Sequence, residues 1–317
     1  MKKRISLFML IAFTFIITAC GANDAAQDKQ QPANSAGEAE TVNVKHQLGE
    51  TTVDKNPQKV VVFDYGSLDT LDALGVEVTG VSQTNVPDYL KQYEDSKYTN
   101  IGSLKEPDYE AISEIEPDLI IISSRQADFY EELSELGPTI YLGVDYNHYL
   151  DSFTENVHTL AEIFGKEEKA ESMLADLNQS IEDLKAKAAD LEQTSLVIMA
   201  NEGEISAFGP NSRFGIIHDV LGFKPADTNI EASTHGQNIS YEYIAEKNPA
   251  ILFVIDRGAA IGGETSVKQV VENELVKNTD AFKDEQIVYL SADIWYLSGG
   301  GLESVQKMID ETAAVLE

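Results

Sequence analysis

The chain has 317 residues, with 23 basic against 54 acidic side chains and a formal net charge of −31. A surface this acidic argues against nucleic acid and against direct contact with anionic lipid headgroups, and it makes each cation in an apolar setting more informative. The hydrophobic share of 43% is ordinary for a globular protein, and a chain of this length buries roughly three quarters of its unfolded surface, so it can fold without disulfides.

Lys2, Lys3 and Arg4 precede an almost unbroken apolar run from Ile5 to Ala19. A cationic cluster followed by such a run has the form of a secretory signal, and the run is short of the about 20 residues that span a bilayer. It ends in Ile17-Thr18-Ala19-Cys20, with Asp24 the first charge beyond it. Aliphatic, small, small, Cys resembles the bacterial lipobox. The resemblance implies cleavage before Cys20 and lipid on its thiol, which would hold the mature chain at the outer face of the cell membrane. An ordinary signal peptide with a chance cysteine is the alternative. Cys20 is the sole cysteine, so no internal disulfide competes for its thiol. Residues 1–19 therefore read as signal peptide. Residues 20–41, small, polar and free of aromatics, read as a lipidated flexible tether.

The folded part is expected from near Val42. Val60 to Phe63 reads as a buried strand, Ser67 to Leu74 as a helix closed by Gly75, and Val76 to Val81 as the next strand. Pro107 to Ile115 is helical with Asp108 as cap, and Leu119 to Ile122 is a core strand. Phe129 to Leu136 is a helix that stops at Gly137-Pro138, and Thr139 to Leu142 is a strand. Strands separated by such helices predict a parallel, helix-covered sheet. Helical spacing then runs from about His148 to Leu191, with no proline and with Gly165 as its interior glycine. Strands resume at Ser195 to Met199, Ile205 to Phe208, Leu252 to Ile255 and Gln286 to Leu290. The prediction is an α/β protein of two lobes: residues 42–147, a connecting helical region 148–191, and residues 192–317.

An internal comparison supports two related lobes. The stretch from Asp108 to Gln126 aligns without a gap on Ser240 to Gly258, matching Tyr109 with Tyr241, Glu110 with Glu242, Pro117 with Pro249 and Arg125 with Arg257. Each copy is a helix, a proline-marked turn, a core strand, and an arginine just past the strand's C-terminal end. Ligands of open α/β sheets bind outside those ends. Arg213, in the Gly/Pro/Asn-rich loop after the strand ending at Phe208, is a third candidate, and Lys105 lies in a loop before the first repeat helix. All three arginines beyond Arg4 fall in strand-end loops. Any one could serve a surface salt bridge; together they point to a cleft for an oxygen-rich anion. Tyr65, Trp295 and Tyr296 follow strands and could stack on flat rings or on arginines, or simply pack. His235, in a polar loop, reads as a ligand contact or a helix cap.

Other chemistries are poorly supported. His46, His148, His158, His218 and His235 are scattered and lack metal-ligand spacing, so no direct protein ligand to a metal is expected. A surface hydrolase would need a nucleophile elbow or a zinc motif, and neither occurs. Gly299-Gly300-Gly301 lacks the lysine and spacing of a phosphate-binding loop and reads as close backbone approach or a helix start. An adhesin would not call for paired lobes with matched arginines.

The lipobox, Asn56-Pro57-Gln58-Lys59-Val60-Val61-Val62, Gly102-Ser103-Leu104-Lys105-Glu106-Pro107-Asp108, the Glu116-Pro117-Asp118-Leu119-Ile120-Ile121-Ile122 block and the long connecting region occur in a specific order. Together they resemble the iron-siderophore substrate-binding lipoproteins of Gram-positive ABC importers, over about Val42 to Glu317, and most nearly the subgroup for ferric petrobactin and related catecholates. The resemblance implies two Rossmann-like lobes joined by a long rigid helix, the class III periplasmic-binding-protein arrangement. It implies Lys105, Arg125, Arg213 and Arg257 around a ferric siderophore whose iron is held by the chelator, with no other cofactor. It also implies docking of Glu110 and Glu242 on a membrane permease, and action as a monomer rather than as an enzyme. Haem or corrinoid binding within the same superfamily is the nearer alternative.

Overall fold

The computed structural model describes residues 40 to 316 apart from Glu202 and 264–266, and these belong to one compact unit. The expected signal segment, Cys20 and the tether up to residue 39 lie outside the described residues.

The body opens with a hairpin that the strand count above omits. β1 (Thr41–His46) pairs antiparallel with β2 (Gly49–Asp54). Period-two alternation buries Val42, Val44 and Val53 and leaves most of their polar neighbours in water. β3 (Val60–Val62) leads into α1 (Tyr65–Leu74), where the Asp64 carboxylate accepts from Ser67 N and Gly75 ends the helix at φ 76°. The strand expected over Val76 to Val81 shortens to β4 (Gly80–Val81). The cause is local: the Val76 amide is already bonded to Leu71 O as part of the helix cap. β5 (Thr99–Asn100), α2 (Tyr109–Ile115), β6 (Leu119–Ile122), α3 (Tyr130–Ser134) and β7 (Thr139–Tyr141) complete the first lobe. Its sheet runs β5-β4-β3-β6-β7 and is parallel throughout, as predicted.

The connecting region is two helices, α4 (Tyr149–Phe164) and α5 (Glu167–Ala189). They divide at Gly165, whose φ of 60° and ψ of 45° suit a residue without a side chain, and whose amide bonds to Ala161 O. α4 serves both lobes. Leu160, Ile163 and Phe164 join the first-lobe core, where Val60, Val62, Leu119 and Ile121 meet them from the sheet. Tyr149, Phe153 and Val157 join the core that α5 shares with the second lobe. The other face of the first sheet, Val61, Phe63, Ile120 and Ile122, packs on Ile112 and Ile115 of α2 and Leu133 of α3.

The second lobe contains β8 (Thr194–Asn201), β9 (Glu204–Phe208), α6 (Ile216–Asp219), β10 (Lys224–Pro225), β11 (Gln237–Ile239) and α7 (Tyr241–Lys247). It continues with β12 (Ile251–Asp256), α8 (Arg257–Ala260), α9 (Val267–Val271), α10 (Asp280–Lys283), β13 (Ile287–Leu290) and α11 (Leu302–Ala313). Its sheet order is β11-β9-β8-β12-β13, with β10 also on β8. β8, β10, β12 and β13 are parallel, whereas β9 and β11 run antiparallel. β9 follows β8 after two residues, too few for a crossover, so the chain must return beside the strand it left.

The repeat is real in three dimensions. α2 and α7 have seven residues each and end on left-handed Glu116 (φ 51°) and Asn248 (φ 43°). Each is followed by a central strand and an arginine. At the lobe junction α1 meets the start of α11. Gly301, the residue before α11, has no side chain to cap it, and Asp69 of α1 supplies the acceptors: Oδ1 to Glu303 N at 2.8 Å and Oδ2 to Ser304 N at 2.7 Å. A Cβ on Gly301 would collide with Asp69 and with the Gly66 carbonyl, so the glycine run marks a close backbone crossing.

Candidate functional site

The two sheets present the C-terminal ends of β6 and β12 to one cleft, and a single π-helical turn, Asp293–Ser298, forms its floor. Such turns frequently sit at functional sites. Tyr296 is the hub. Its carbonyl accepts from Arg125 Nη2 at 2.5 Å and Arg213 Nη2 at 2.6 Å, and its hydroxyl accepts from Arg257 Nε at 2.9 Å. The Arg213 guanidinium stacks 4.3 Å from the Tyr296 ring centroid and 5.3 Å from that of Phe214. Asn201 Oδ1 accepts from Arg257 Nη1 at 2.6 Å.

Among the described residues no arginine has a carboxylate within salt-bridge distance, although the body is rich in acids. Three cations from two lobes are thus held together by neutral oxygens and π faces. The electrostatic consequence is visible in the site's own groups. Burial pushes the Arg213 pKa down, and the nearby Arg125 charge adds to this. Burial alone would raise the Tyr296 phenol, but the Arg257 hydrogen bond and the charges of Arg213, Arg257 and Arg125 outweigh it and hold the phenol below its ordinary value. A cleft of this kind stabilises an anion.

The cleft has distinct chambers. An outer chamber of about 260 Å³ is lined by Thr84, Asn85, Leu104, Lys105, Ile261 and Leu297, with Arg125, Arg257 and Tyr296. An inner cavity of about 50 Å³ lies against Arg125, Arg213, Tyr146, Tyr149, Trp295 and Tyr296. Beyond it an open groove of about 850 Å³ shares Leu142 to Val144 and Tyr146 with the inner cavity. Lys105 stands exposed on its loop, which is pinned from behind: Gln126, 1% exposed, donates to Leu104 O and accepts from Ser123 N. Gln126 thereby ties the lysine loop to the turn carrying Arg125.

The structure brings Lys105, Arg125, Arg213, Arg257, Trp295 and Tyr296 to the cleft. Trp295 is 3% exposed, lines the inner cavity, and anchors its indole N–H on Glu311 Oε2 at 2.8 Å. Tyr65 corrects the expectation. It is 1% exposed, part of the first-lobe core, with its hydroxyl donating to Thr84 O at 2.8 Å. It supports the wall of the outer chamber instead of facing ligand. His235 is exposed on the loop before β11, not before a helix, and its neighbours Ser233 and Thr234 line the open groove. Glu110 and Glu242 occupy the first turns of α2 and α7 and are exposed. Sequence reasoning missed Asn201, Gln126, Tyr146 and Tyr149. Polar or aromatic residues beside core segments carry no periodic signal of their own; Asn201, at the C-terminal end of β8, was findable by the strand-end rule applied to the arginines.

A two-lobed α/β body with helices between the lobes and a cationic cleft defines a class, and the family comparison agrees: residues 60–294 match the periplasmic binding protein family, and this chain belongs to it. Among known proteins it is 53% identical over 321 aligned residues, 100% of each chain, to the petrobactin-binding protein YclQ of Bacillus subtilis (strain 168). It is 33% identical to the ferric-anguibactin-binding protein FatB of Vibrio anguillarum, over 98% of this chain and 97% of that one. The crystal structure of YclQ superposes with a TM-score of 0.86 at 56% identity, over 88% of this chain and 99% of that one. The catecholate-siderophore binding protein VctP of Vibrio cholerae superposes with a TM-score of 0.83 at 36% identity, over 87% of this chain and 100% of that one.

Proposed function

We propose that this chain captures a ferric siderophore of catecholate type, petrobactin-like, outside the cell and delivers it to an ABC permease for iron uptake. One observation carries the reading: Arg125, Arg213 and Arg257 converge on Tyr296 with no carboxylate partner among the described residues, and Lys105 stands at the mouth. A ferric catecholate spreads negative charge over oxygens around the iron. Guanidinium forks suit such oxygens, and each charge-assisted contact contributes roughly 1.5–3 kcal/mol. The outer chamber, whose lining includes Leu104, Ile261, Leu297 and Tyr296, offers apolar surface to an aromatic ring beside Arg125 and Arg257. The iron travels as cargo inside its chelate, so the protein needs to supply charge and shape rather than metal ligands.

Delivery follows from matched geometry. Glu110 and Glu242 sit at equivalent, exposed positions of the repeat, one per lobe, and would contact cations of a permease. Lipid at Cys20 would keep a monomeric binding protein within reach of that permease and raise its effective concentration there.

Trp295 is the sole tryptophan and lines the inner cavity, so its fluorescence reports on the cleft. Titration with a ferric catecholate, haem and cobalamin tests the reading. Saturable quenching by the ferric catecholate at micromolar concentration or below is expected. Binding of haem or cobalamin in its place would overturn the assignment.

A further inference from the structure

The start of α11, in the second lobe, is held from the first. Asp69 of α1 is 1% exposed, yet its carboxylate takes three donors: Glu303 N at 2.8 Å, Ser304 N at 2.7 Å and Tyr89 Oη at 3.1 Å. It has no ion-pair partner among the described residues, and Lys307 of α11 is engaged with Glu303. Burial pushes its pKa up to about 6, so at neutral pH the fold holds this group ionised at a cost. A neutral acceptor could cap α11 without that cost, so the charge needs a reason beyond capping. An ionised carboxylate is acceptor-only, and it can take the amides of one lobe and the phenol of the other together.

The far side of the cap supplies the reason. Ser304, 0% exposed, is fixed at its amide by Asp69; its hydroxyl donates to Ser298 O at 2.8 Å and accepts from Gly301 N at 3.0 Å. Ser298, 1% exposed, closes the π-helical turn, and its hydroxyl donates to Asp293 O at 3.2 Å. That turn carries Tyr296, the shared partner of the three arginines. The backbones are tight as well: a Cβ on Gly66 of α1 would lie 3.1 Å from Gly300 C and 3.2 Å from Ser298 O. Tyr89, Asp69, Ser304 and Ser298 thus form one hydrogen-bonded run from the first lobe to the turn at the hub of the cleft.

We propose that Asp69 is a positioning residue: through Ser304 and Ser298 it fixes, across the lobe junction, the turn that presents Tyr296 to Arg125, Arg213 and Arg257. The cation geometry of the cleft is then set in advance by a residue that does not line it, and a bound anion meets donors that need not reorganise. The consequence for release of cargo rests on the ferric-siderophore reading; the positioning itself does not.

The test is Asp69→Asn in the full chain, which keeps the size and one acceptor and turns the other into a donor. Two readouts are needed. The first is the Tyr296 phenol titration in ligand-free protein, followed by NMR of ring-labelled tyrosine and assigned with Tyr296→Phe. If the turn loses its hold, the arginines no longer converge on Tyr296, and the phenol should move up toward the ordinary value of about 10. Loss of a negative charge by itself would move it the other way, and loss of stability would not move it. The second is stopped-flow Trp295 quenching by a ferric catecholate: dissociation should speed up about tenfold with association within twofold, since the steering cations remain. Ser304→Ala keeps the carboxylate and cuts the link to Ser298 O, so it should shift both readouts in the same direction, and it carries the test if Asp69→Asn does not fold. The double variant should be no worse than Asp69→Asn alone. A folded variant with wild-type phenol titration and wild-type dissociation would overturn the proposal, as would additive effects of the two substitutions. If wild-type protein bound no ferric catecholate, the siderophore reading would fail, and the phenol titration would still decide the role of Asp69.

Discussion

Arg213→Met isolates the charge at the centre of the cleft. Methionine keeps an unbranched apolar stem against Tyr296 and Phe214, the two rings on which the guanidinium now lies, and it removes the cation. The ligand-free fold has little to lose: Tyr296 O still accepts from Arg125 at 2.5 Å, and Arg213 forms no ion pair with a described carboxylate. Relief from the neighbouring Arg125 charge offsets the lost bond to Tyr296, so the melting temperature should hold within a few degrees. Binding should respond differently. One charge-assisted contact contributes about 1.5–3 kcal/mol, so affinity for a ferric catecholate should fall about 10- to 150-fold. Trp295 quenching at two ionic strengths measures it, and the salt dependence should also flatten because one fewer cation is screened. Lys187→Met, which removes an exposed charge near the end of α5, is the control and should bind as wild type. An Arg213→Met protein that folds and binds with unchanged affinity would refute the cleft argument.

Three further outcomes follow from the geometry. Asp69 is pushed up from 3.8 to about 6, mainly by burial, so the folded state keeps its proton where the unfolded state has lost it. Stability contributed by this group therefore falls as pH rises from about 4 to 6 and is level above; wild type minus Asp69→Asn, followed by chemical denaturation, should drop by about 2–3 kcal/mol across that window, and a flat difference would count against the buried cap. Gly301→Ala forces a Cβ against Asp69 and the Gly66 backbone, and thermal unfolding should show a loss of about 1–3 kcal/mol; a neutral result would mean that α1 and α11 separate easily. Glu110→Ala with Glu242→Ala should leave siderophore affinity within about twofold, since both side chains are exposed and outside the cleft lining, while cellular uptake of radiolabelled iron falls. Normal uptake would remove these glutamates from permease docking.

Much of the framework was legible because it is local. Period-two apolar runs such as Val60 to Phe63 and Leu119 to Ile122 alternate between two covering layers, and only a helix-covered sheet satisfies that. Gly75 and Asp108 announced helix ends through backbone chemistry that needs no partner elsewhere. The repeat placed Arg125 and Arg257 at equivalent strand ends, and an acidic chain with so few arginines made their shared setting conspicuous.

Other features exist only after distant segments meet. The Val42 and Val44 alternation was too short to register, and its hairpin became a strand pair because Val53 returned to cover the same core. Tyr65 follows a strand in sequence just as Tyr296 does, yet one is swallowed by its lobe and the other is left between lobes; nothing in either neighbourhood of sequence distinguishes them. Gln126 and Asn201 gained their roles from Leu104 and Arg257, partners that sequence distance hides. By itself the sequence determined two α/β lobes, their relation and the cations at their strand ends, since these depend on pattern and backbone preference. The tertiary structure decided that those cations share one tyrosine and that a carboxylate from α1 caps α11, because each depends on which surfaces become neighbours.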